Sequence, residues 1–328
     1  MRGRICGTGS YLPEKYYDNN DIAKIVETSD AWIRERTGIV RRHIASGDEN
    51  TVSMAVEAGK RALENGHVLP EDVDMILVST ITPNAVIPGV AFQVQAALGA
   101  AQAVCFDLSA ACSGFVFAYQ TAQAYIAAGM YQTILLIGSE TLSAINNWED
   151  RSSCILFGDG AGAAVIRAEE GEPYPSVAGS DGTMGHVLAC ESRVQNGWRQ
   201  KEAERKTYID MDGTAVFKFA VRKMPEMAKA LMIQIQCTEA DIDWFITHQA
   251  NERIIEAIAK RLKSDITKFP MNIAECGNTS SASIPILLDE MNRSGRLKDG
   301  QKIIMAGFGA GLSWGAVYME WHAYKNLK

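Results

Sequence analysis

The sequence predicts a layered α/β fold. Apolar, strand-like runs at 74–80 (D-M-I-L-V-S-T) and 133–139 (T-I-L-L-I-G-S) flank a long helical pattern that follows Cys112. Strand-like runs that alternate with helical patterns are typical of sheets whose faces are covered by helices. The chain is therefore expected to stack helices and sheets in layers.

A second observation predicts that the fold consists of two similar halves. The run E-D-V-D-M-I-L-V-S from Glu71 resembles A-D-I-D-W-F-I-T-H from Ala240. At the same offset along the chain, Y-Q-T-I-L-L-I-G from Tyr131 resembles G-Q-K-I-I-M-A-G from Gly300, and a glycine-rich segment follows each run. Two matches at one offset indicate an internal duplication. The alternative is that unrelated α/β halves converged on similar strand patterns.

The boundary between the halves is predicted in the stretch E-E-G-E-P-Y-P at 169–175, which is polar and contains two prolines. We accordingly divide the chain into an N-terminal half, 1–172, and a C-terminal half, 173–328. The polar segment 184–206 fits neither half and is expected to be a surface insertion.

Composition narrows the class of protein. A chain of 328 residues with 47% hydrophobic and 22% charged residues can bury a large core, as ordinary globular proteins do. No uninterrupted apolar stretch is long enough to cross a membrane as a helix, and the start lacks an apolar signal core. We therefore expect a cytoplasmic protein with no membrane partner. The net charge of −7 argues against a nucleic-acid partner.

Cysteines and histidines give no sign of a scaffold or a metal. The seven cysteines are odd in number and include no C-x-x-C pair, which favours scattered thiols over disulfides. The five histidines are dispersed as well. We therefore expect neither a structural disulfide nor a bound metal ion.

Cys112 is the predicted nucleophile. In D-L-S-A-A-C-S-G-F (107–115), an apolar strand stops at small residues and a helix begins, which is expected to end at Gly129. The apolar face of that helix consists of Phe115, Ala118, Ala122 and Ile126. A thiol at a helix N-terminus feels the positive end of the dipole, which stabilises thiolate. The alternative is a small buried core cysteine, and Cys276 is the nearest rival as nucleophile.

Two polar residues stand in comparable positions in the second half. His248 ends the apolar run W-F-I-T-H, and Asn278 lies among turn-forming residues in C-G-N-T-S-S-A-S. A polar strand cap and a turn asparagine are the alternatives. The repeat offset carries Cys112 to position 281, close to Asn278, so a twofold relation between the halves would bring both segments face to face. A site between the halves is therefore predicted.

Together these residues resemble β-ketoacyl-acyl-carrier-protein synthase III, a family of thiolase-fold condensing enzymes. The resemblance extends nearly from end to end. The motifs that carry it are S-D-A-W-I-R-E-R-T-G-I (29–39), A-A-C-S-G-F (110–115), F-G-D-G-A-G-A (157–163), H-Q-A-N (248–251), G-N-T-S-S-A-S (277–283) and G-F-G-A-G-L-S-W-G (307–315).

The resemblance implies a fold, a reaction and an assembly. The fold is a thiolase-like, five-layered αβαβα arrangement of two similar halves, and the protein is a homodimer. Cys112, His248 and Asn278 match the family's catalytic triad. The reaction is a decarboxylating condensation of an acyl-CoA with malonyl-acyl-carrier-protein that starts fatty acid synthesis through an acyl-cysteine intermediate. Coenzyme A is then part of a substrate, and no cofactor is expected.

Further residues match family positions with assigned roles. An oxyanion hole is implied at the backbone N–H groups of Cys112 and Ala310, where Ala310 replaces a glycine and would be strained if its φ were positive. The positions that match those around coenzyme A and its pantetheine are Thr28, Trp32, Arg36, Arg151, Met211, Gly213, Phe217, Ala250 and Asn251. Solvated surface charge is the alternative for each arginine.

Acyl carrier protein is acidic, so an acidic enzyme needs a basic rim to attract it. The candidates are Lys218, Arg222, Arg253 and Lys260, with an ordinary solvated helix face as the alternative. Ile87 matches the position from which the partner subunit closes the acyl pocket. Ile87 stands where acetyl-preferring members have phenylalanine, which favours longer or branched acyl groups.

Three other functions are alternatives. A homologous starter enzyme of a specialised polyketide pathway would share these motifs. A papain-type hydrolase would require C-G-S-C-W, which the sequence lacks. An inactive scaffold or acyl-binding protein is disfavoured because all three triad residues are present.

Overall fold

The computed structural model describes residues 1–191 and 207–322. Its strands are β1 (Arg2–Tyr11), β2 (Tyr16–Asp18), β3 (Arg41–His43), β4 (Met75–Ser79), β5 (Val104–Leu108), β6 (Thr133–Glu140), β7 (Gly160–Glu169), β8 (Ser176–Ser180), β9 (Leu188–Ala189), β10 (Asp210–Met211), β11 (Trp244–Thr247), β12 (Lys302–Gly309) and β13 (Ser313–Glu320). Its α-helices are α1 (Asn19–Ile22), α2 (Asp30–Thr37), α3 (Thr51–Gly66), α4 (Val90–Leu98), α5 (Gly114–Ala127), α6 (Arg151–Cys154), α7 (Gly213–Gln234), α8 (Glu252–Leu262), α9 (Ile273–Cys276) and α10 (Ser283–Arg293).

Two mixed sheets form the frame. The first has the order β1-β7-β6-β4-β5 and the second has the order β11-β12-β13-β8. In both, a parallel pair adjoins antiparallel neighbours: β4 is parallel to β6 as β11 is parallel to β12. Every residue of β4 and β6 is buried, which agrees with the apolar run that each strand contains. Strands of this kind are covered on both faces.

Five layers result from where the helices pack. Helices α5 and α10 lie between the sheets, since α5 contacts β1, β4 and β6 of the first sheet and β12 and β13 of the second, while α10 contacts β1, β7 and β11. Helices α3 and α4 cover the outer face of the first sheet. On the second sheet, α7 packs on β8, β12 and β13, and α8 packs on α7. The predicted αβαβα fold is confirmed.

The burial and the C-terminal end of helix α5 agree with the prediction from its sequence. The four residues of the predicted apolar face, Phe115, Ala118, Ala122 and Ile126, have no exposed surface. The helix ends at Ala127, and Gly129 just beyond it has φ of +71°. A left-handed residue after a helix is a common stop, which glycine adopts without a steric cost.

The two halves repeat each other in their central helices, in the turns that precede these helices and in the strands that follow them. Helix α5 begins at Gly114 and α10 at Ser283; β6 begins at Thr133 and β12 at Lys302. Both pairs have the same offset that relates Glu71 to Ala240 in the sequence. The 3₁₀ turns that lead into the central helices, 111–113 and 280–282, have it as well. Similarity of the two halves therefore extends from sequence to backbone.

The predicted boundary, 172/173, lies in the connection between β7 and β8, which belong to different sheets. The exact division stays a prediction. Of the expected insertion 184–206, residues 192–206 lie outside the described residues. In the described part, β9 pairs with β10 apart from both sheets. Leu188 of β9 also lines a cavity that is described below.

The halves meet through unusually close backbone contacts. An added Cβ at Gly138 of β6 would lie 2.5 Å from the carbonyl oxygen of Ser281 in the other half. At the equivalent position, a Cβ on Gly307 of β12 would lie 3.2 Å from the carbonyl oxygen of Cys112. Each half thus uses a glycine in its strand to receive the turn of the other.

We predict that Gly138→Ala lowers the free energy of unfolding by about 1–3 kcal/mol, because the new methyl group meets a backbone that cannot move aside easily. Gly182→Ala is the matched control, since Gly182 is exposed and nothing lies within 4 Å of an added Cβ. The control should change stability by less than about 0.5 kcal/mol. Urea unfolding of both variants checks this, and equal midpoints would contradict the close contact.

Candidate active site

Cys112 sits in the 3₁₀ turn Ala111–Ser113, immediately before α5. Ala111 has φ of +45°, a strained value for a residue with a Cβ, and this conformation turns the chain sharply into the helix. The Cys112 side chain is buried, and its Sγ donates a hydrogen bond of 3.3 Å to Ser280 Oγ. The thiol therefore contacts the turn that precedes the other central helix.

Burial raises the pKa of the Cys112 thiol to about 12, and the nearby carboxyl group of Glu140 contributes in the same direction. The hydrogen bond to Ser280 opposes this rise in pKa. A neutral thiol is thus the resting form at neutral pH. Our expectation of a thiolate stabilised by the helix dipole is wrong, because the loss of hydration on burial outweighs the effect of the dipole on the pKa of Cys112.

His248 directly follows β11 and is held by contacts on both backbone and ring. Its backbone N–H donates to the carbonyl oxygen of Ala306 at 2.9 Å. Its Nδ1 lies 2.7 Å from Ser283 Oγ, and the ring packs edge-on against Phe308 with centroids 5.3 Å apart. Burial lowers the pKa of His248 to about 3, so the imidazole is neutral. A neutral imidazole has one N–H to donate.

Asn278 is anchored by its backbone and oriented by its own side chain. The backbone accepts from Gly158 N at 3.0 Å and donates to Leu156 O at 2.9 Å. The side-chain Oδ1 accepts from Ser280 N at 2.9 Å. Because the oxygen is engaged by this turn, the NH₂ group is the part that Asn278 offers to a ligand.

Cys112, His248 and Asn278 all line one cavity of about 430 Å³. Its wall is contributed by both halves and consists of Trp32, Arg36, Thr37, Cys112, Ser152, Ile155, Leu156, Phe157, Leu188, Met211, Gly213, Thr214, Val216, Phe217, Phe219, His248, Ala250, Asn251, Ile254, Asn278, Phe308, Gly309 and Leu312. Exposed residues such as Arg36 and Thr214 mark its mouth, and Cys112 and His248 mark its buried end. The cavity is therefore a tunnel from the surface to the thiol.

Most of the residues predicted around coenzyme A lie on this wall, namely Trp32, Arg36, Met211, Gly213, Phe217, Ala250 and Asn251. Among the described residues, Thr28 and Arg151 are not part of this wall. Arg151 nevertheless lies next to a residue of the wall, because its guanidinium carbon is 5.0 Å from the centre of the Trp32 ring. Arg36 approaches the same ring at 5.8 Å. The indole thus has two cations beside it at the mouth of the tunnel.

The glycine-rich loop places Gly309 against the nucleophile. An added Cβ at Gly309 would lie 2.8 Å from the backbone nitrogen of Cys112, and Gly309 lines the cavity. Ala310 is half-buried and does not belong to the described wall. Its φ is not positive, so the strain expected for alanine does not arise. The role of the Ala310 N–H stays a prediction.

The remaining predicted residues lie on the surface. Lys218 and Arg222 are exposed on α7, and Arg253 and Lys260 are exposed on α8, which packs on α7. Ile87 is 86% exposed in the loop between β4 and α4 and takes no part in the tunnel of its own chain.

The sequence reasoning missed Ser280, Ser283, Phe308 and Glu140. Glu140 is fully buried and its Oε1 accepts from Ser281 Oγ at 2.8 Å. The two serines lie in the motif that supplied Asn278, and only their positions two and five residues after it set them apart. Nothing in the pattern shows which serine hydroxyl faces the thiol and which faces the imidazole.

The described residues include neither a membrane span nor a metal cluster. None of their helices is long and apolar enough to cross a membrane. Within the same ranges, no three histidine, cysteine, aspartate or glutamate side chains are grouped closely enough to hold a metal ion.

Comparison with known proteins identifies the family of this chain. Models of the 3-oxoacyl-[acyl-carrier-protein (ACP)] synthase III family match residues 106–182, and its C-terminal part matches residues 232–321. A β-ketoacyl-[acyl-carrier-protein] synthase III of Clostridium acetobutylicum is 46% identical over 97% of this chain and 98% of its own. The chain belongs to the β-ketoacyl-acyl-carrier-protein synthase III family.

Solved structures of related proteins have nearly the same fold as this chain. The 3-oxoacyl-[acyl-carrier-protein] synthase III of Aquifex aeolicus VF5 superposes with a TM-score of 0.91 at 40% identity, covering 97% of this chain and 100% of that one. The priming β-ketosynthase of the R1128 polyketide biosynthetic pathway superposes with a TM-score of 0.92 at 35% identity, covering 99% of this chain and 98% of that one. The fold of this chain is thus shared by a 3-oxoacyl-[acyl-carrier-protein] synthase III and by a priming β-ketosynthase of a polyketide pathway.

We predict an acid-dependent loss of stability caused by His248. The unfolded chain binds a proton at histidine near the ordinary pKa of about 6.5, whereas burial keeps folded His248 neutral down to about pH 3. The unfolded state therefore binds one more proton below pH 6.5, and this stability is lost as the pH falls. From pH 6.5 to pH 5 this loss amounts to about 1.5 kcal/mol.

Urea unfolding of the wild type and of His248→Gln, at one protein concentration and across this pH range, measures that contribution. The variant should lose about 1.5 kcal/mol less than the wild type over the same interval. Parallel stability curves would show that His248 is protonated in the folded protein.

Proposed function

We propose that this chain is the starter condensing enzyme that its family name describes, joining an acyl-CoA to malonyl-acyl-carrier-protein with loss of carbon dioxide. The observation that carries the proposal is the inner end of the tunnel, where Cys112 meets two neutral donors, His248 and Asn278. A nucleophile beside oriented donors in a dry cavity suits the formation of an oxyanion from a thioester.

In the first half-reaction, Cys112 Sγ attacks the thioester carbon of the acyl-CoA. A bond forms between the Cys112 sulfur and the acyl carbon, the bond from that carbon to the coenzyme A sulfur breaks, and the thiol proton leaves with coenzyme A. The neutral resting thiol fits this exchange, because no proton is gained or lost overall. Backbone N–H groups at Cys112 and Ala310 are proposed to hold the oxyanion.

In the second half-reaction, malonyl-acyl-carrier-protein occupies the same tunnel. Its carbon–carboxylate bond breaks, carbon dioxide leaves, and the electron pair forms an enolate whose oxygen accepts from His248 and the Asn278 NH₂ group. Oriented donors of this kind are worth about 3–4 kcal/mol each in the transition state. The enolate carbon then attacks the acyl-cysteine, and Cys112 is released to take up a proton.

The mouth of the tunnel suits coenzyme A. Trp32 offers an aromatic face for adenine, and the guanidinium groups of Arg36 and Arg151 beside it suit phosphates, which they bind with paired N–H groups. Thr28 has a buried hydroxyl without a hydrogen-bond partner among the described residues. Met211, Gly213, Phe217, Ala250 and Asn251 are proposed to contact the pantetheine arm.

Acyl carrier protein is proposed to dock on the exposed basic residues of α7 and α8. The N-terminal parts of these helices also line the tunnel, through Phe217 on α7 and Ile254 on α8. The neighbouring residues Lys218 and Arg253 point to solvent. A phosphopantetheine arm that enters the tunnel would therefore leave its acidic carrier against positive charge.

A homodimer is proposed from two exposed features of the first half. Strand β5 is an edge strand of the first sheet and carries Val104, which is 47% exposed. The loop between β4 and α4 exposes Val86 and Ile87 by 80% and 86%. Pairing of this edge with a second copy would cover apolar surface. Ile87 would then reach the acyl pocket of the partner and favour longer or branched acyl groups.

A specialised polyketide starter function is the second candidate. The observation in its favour is the similarity to the R1128 priming ketosynthase, which is 35% identical to this chain. Preference for the carrier protein of fatty acid synthesis over a polyketide carrier distinguishes the two.

The deciding experiment is the intact mass of the protein after incubation with a panel of straight and branched acyl-CoAs. We expect one acyl adduct on the wild type, none on Cys112→Ala, and an unchanged adduct on Cys276→Ala, which removes another buried thiol. Malonyl-acyl-carrier-protein should discharge the adduct as β-ketoacyl product. The donor that loads best reports the acyl preference. An adduct on Cys112→Ala, or none on the wild type with any donor, would contradict the proposal.

A second experiment tests the docking surface. Arg253→Glu should raise KM for malonyl-acyl-carrier-protein about tenfold at low salt, because an attractive contact becomes repulsive. The effect should shrink as salt is added, and KM for acyl-CoA should stay unchanged. Lys60→Glu is the control, since Lys60 is exposed on α3 in the opposite outer layer. Equal effects of the two variants would place the carrier elsewhere.

A further inference from the structure

The ring of His248 has two nitrogens, and a neutral imidazole carries a proton on one of them. The Nδ1 atom is engaged within the protein by Ser283 Oγ at 2.7 Å. Since His248 also lines the tunnel, Nε2 is the nitrogen left to meet a ligand. Whether Nε2 donates or accepts therefore depends on what Ser283 does at the other side of the ring.

Ser283 has one proton to donate, and its partners can be counted. Its Oγ is 3.3 Å from the backbone nitrogen of Gln249, which is a donor, and 2.7 Å from His248 Nδ1. Among the described residues, these are the hydrogen-bond partners that Ser283 Oγ has. If Nδ1 carried the proton, Ser283 would accept twice and its own buried hydroxyl hydrogen would have no acceptor. Leaving a buried donor unpaired costs about 1–3 kcal/mol.

From this count we propose that Ser283 is a positioning residue that donates its hydroxyl proton to His248 Nδ1 and thereby fixes the proton of the imidazole on Nε2. His248 then presents a donor to the tunnel. In the condensation proposed above, on which this role rests, that donor is the one that the enolate oxygen needs.

Two features of the surroundings support this role. Ser283 is the first residue of α10, buried among the central layers, so its side chain has little freedom to turn away. In the first half, the repeat offset makes Ser79 equivalent to His248 and Gly114 equivalent to Ser283. There an added Cβ on Gly114 would lie 1.9 Å from Ser79 Oγ, so no hydroxyl fits. The pair of imidazole and hydroxyl thus belongs to the half that carries His248.

Nitrogen NMR of protein labelled with ¹⁵N-histidine tests the proton position directly. We expect the wild type to show His248 with a protonated Nε2 and a bare Nδ1. In Ser283→Ala the two nitrogen shifts should move towards each other as the tautomers mix, and Ser283→Thr, which keeps the hydroxyl, should restore the wild-type shifts. Ser139→Ala is the control, because Ser139 is equally buried but donates to Thr51 O.

The second readout separates the half-reactions. Ser283→Ala should slow carbon dioxide release from malonyl-acyl-carrier-protein about tenfold, the worth of one hydrogen bond, and leave acyl transfer from acyl-CoA to Cys112 nearly unchanged. A protonated Nδ1 in the wild type, or unchanged shifts in Ser283→Ala, would overturn the role of Ser283. If the wild type released no carbon dioxide, the proposed condensation would fail, while the nitrogen shifts would still decide the tautomer.

Discussion

The whole site depends on a close backbone contact between the two halves. Each half presents a turn with positive φ, at Ala111 and at Ser280, to a strand of the other half. The strands receive these turns at Gly138 and Gly307, where a side chain would collide with backbone. Because α5 and α10 start directly after the turns, their N-termini meet at one place. Cys112 lies at that place, and this explains why a site forms between the halves rather than inside one of them.

The close contact between the two halves also determines the charge states of the groups in the site. Packing two helix ends between two sheets removes water, which leaves the Cys112 thiol and the His248 imidazole uncharged. The groups that face the inner tunnel are therefore neutral donors, with Asn278 fixed as a donor by its bond to Ser280 N. In a cavity of low polarity, neutral oriented donors stabilise a new negative charge strongly and need no reorganisation as it forms. Both proposed half-reactions develop a negative charge on a thioester oxygen.

Much of this could be predicted from the sequence. Strands β4 and β6 and helix α5 are specified by local apolar patterns, and the repeat offset alone brought Cys112 near Asn278. What could not be predicted depends on contacts between distant residues, as with Ser283, whose hydroxyl meets an imidazole 35 residues away in the chain. The neutral state of the Cys112 thiol could not be predicted for the same reason. The sequence shows that Cys112 stands at the start of a helix, but it does not show that the second half buries this helix end.

The duplication also explains why the nucleophile belongs to one half and the equivalent position in the other half has a structural role. At the position equivalent to Cys112 the second half has Ser281, whose hydroxyl lies within hydrogen-bond distance of Ser79 O and Glu140 and serves to join segments. Glu140 is in turn equivalent to Gly309, which lines the tunnel beside Cys112. A carboxylate fills the space in one half, and the missing side chain leaves that space for a substrate in the other. Two differences between the halves, cysteine in place of serine and glycine in place of glutamate, therefore account for a reactive site in one half and a structural contact in the other.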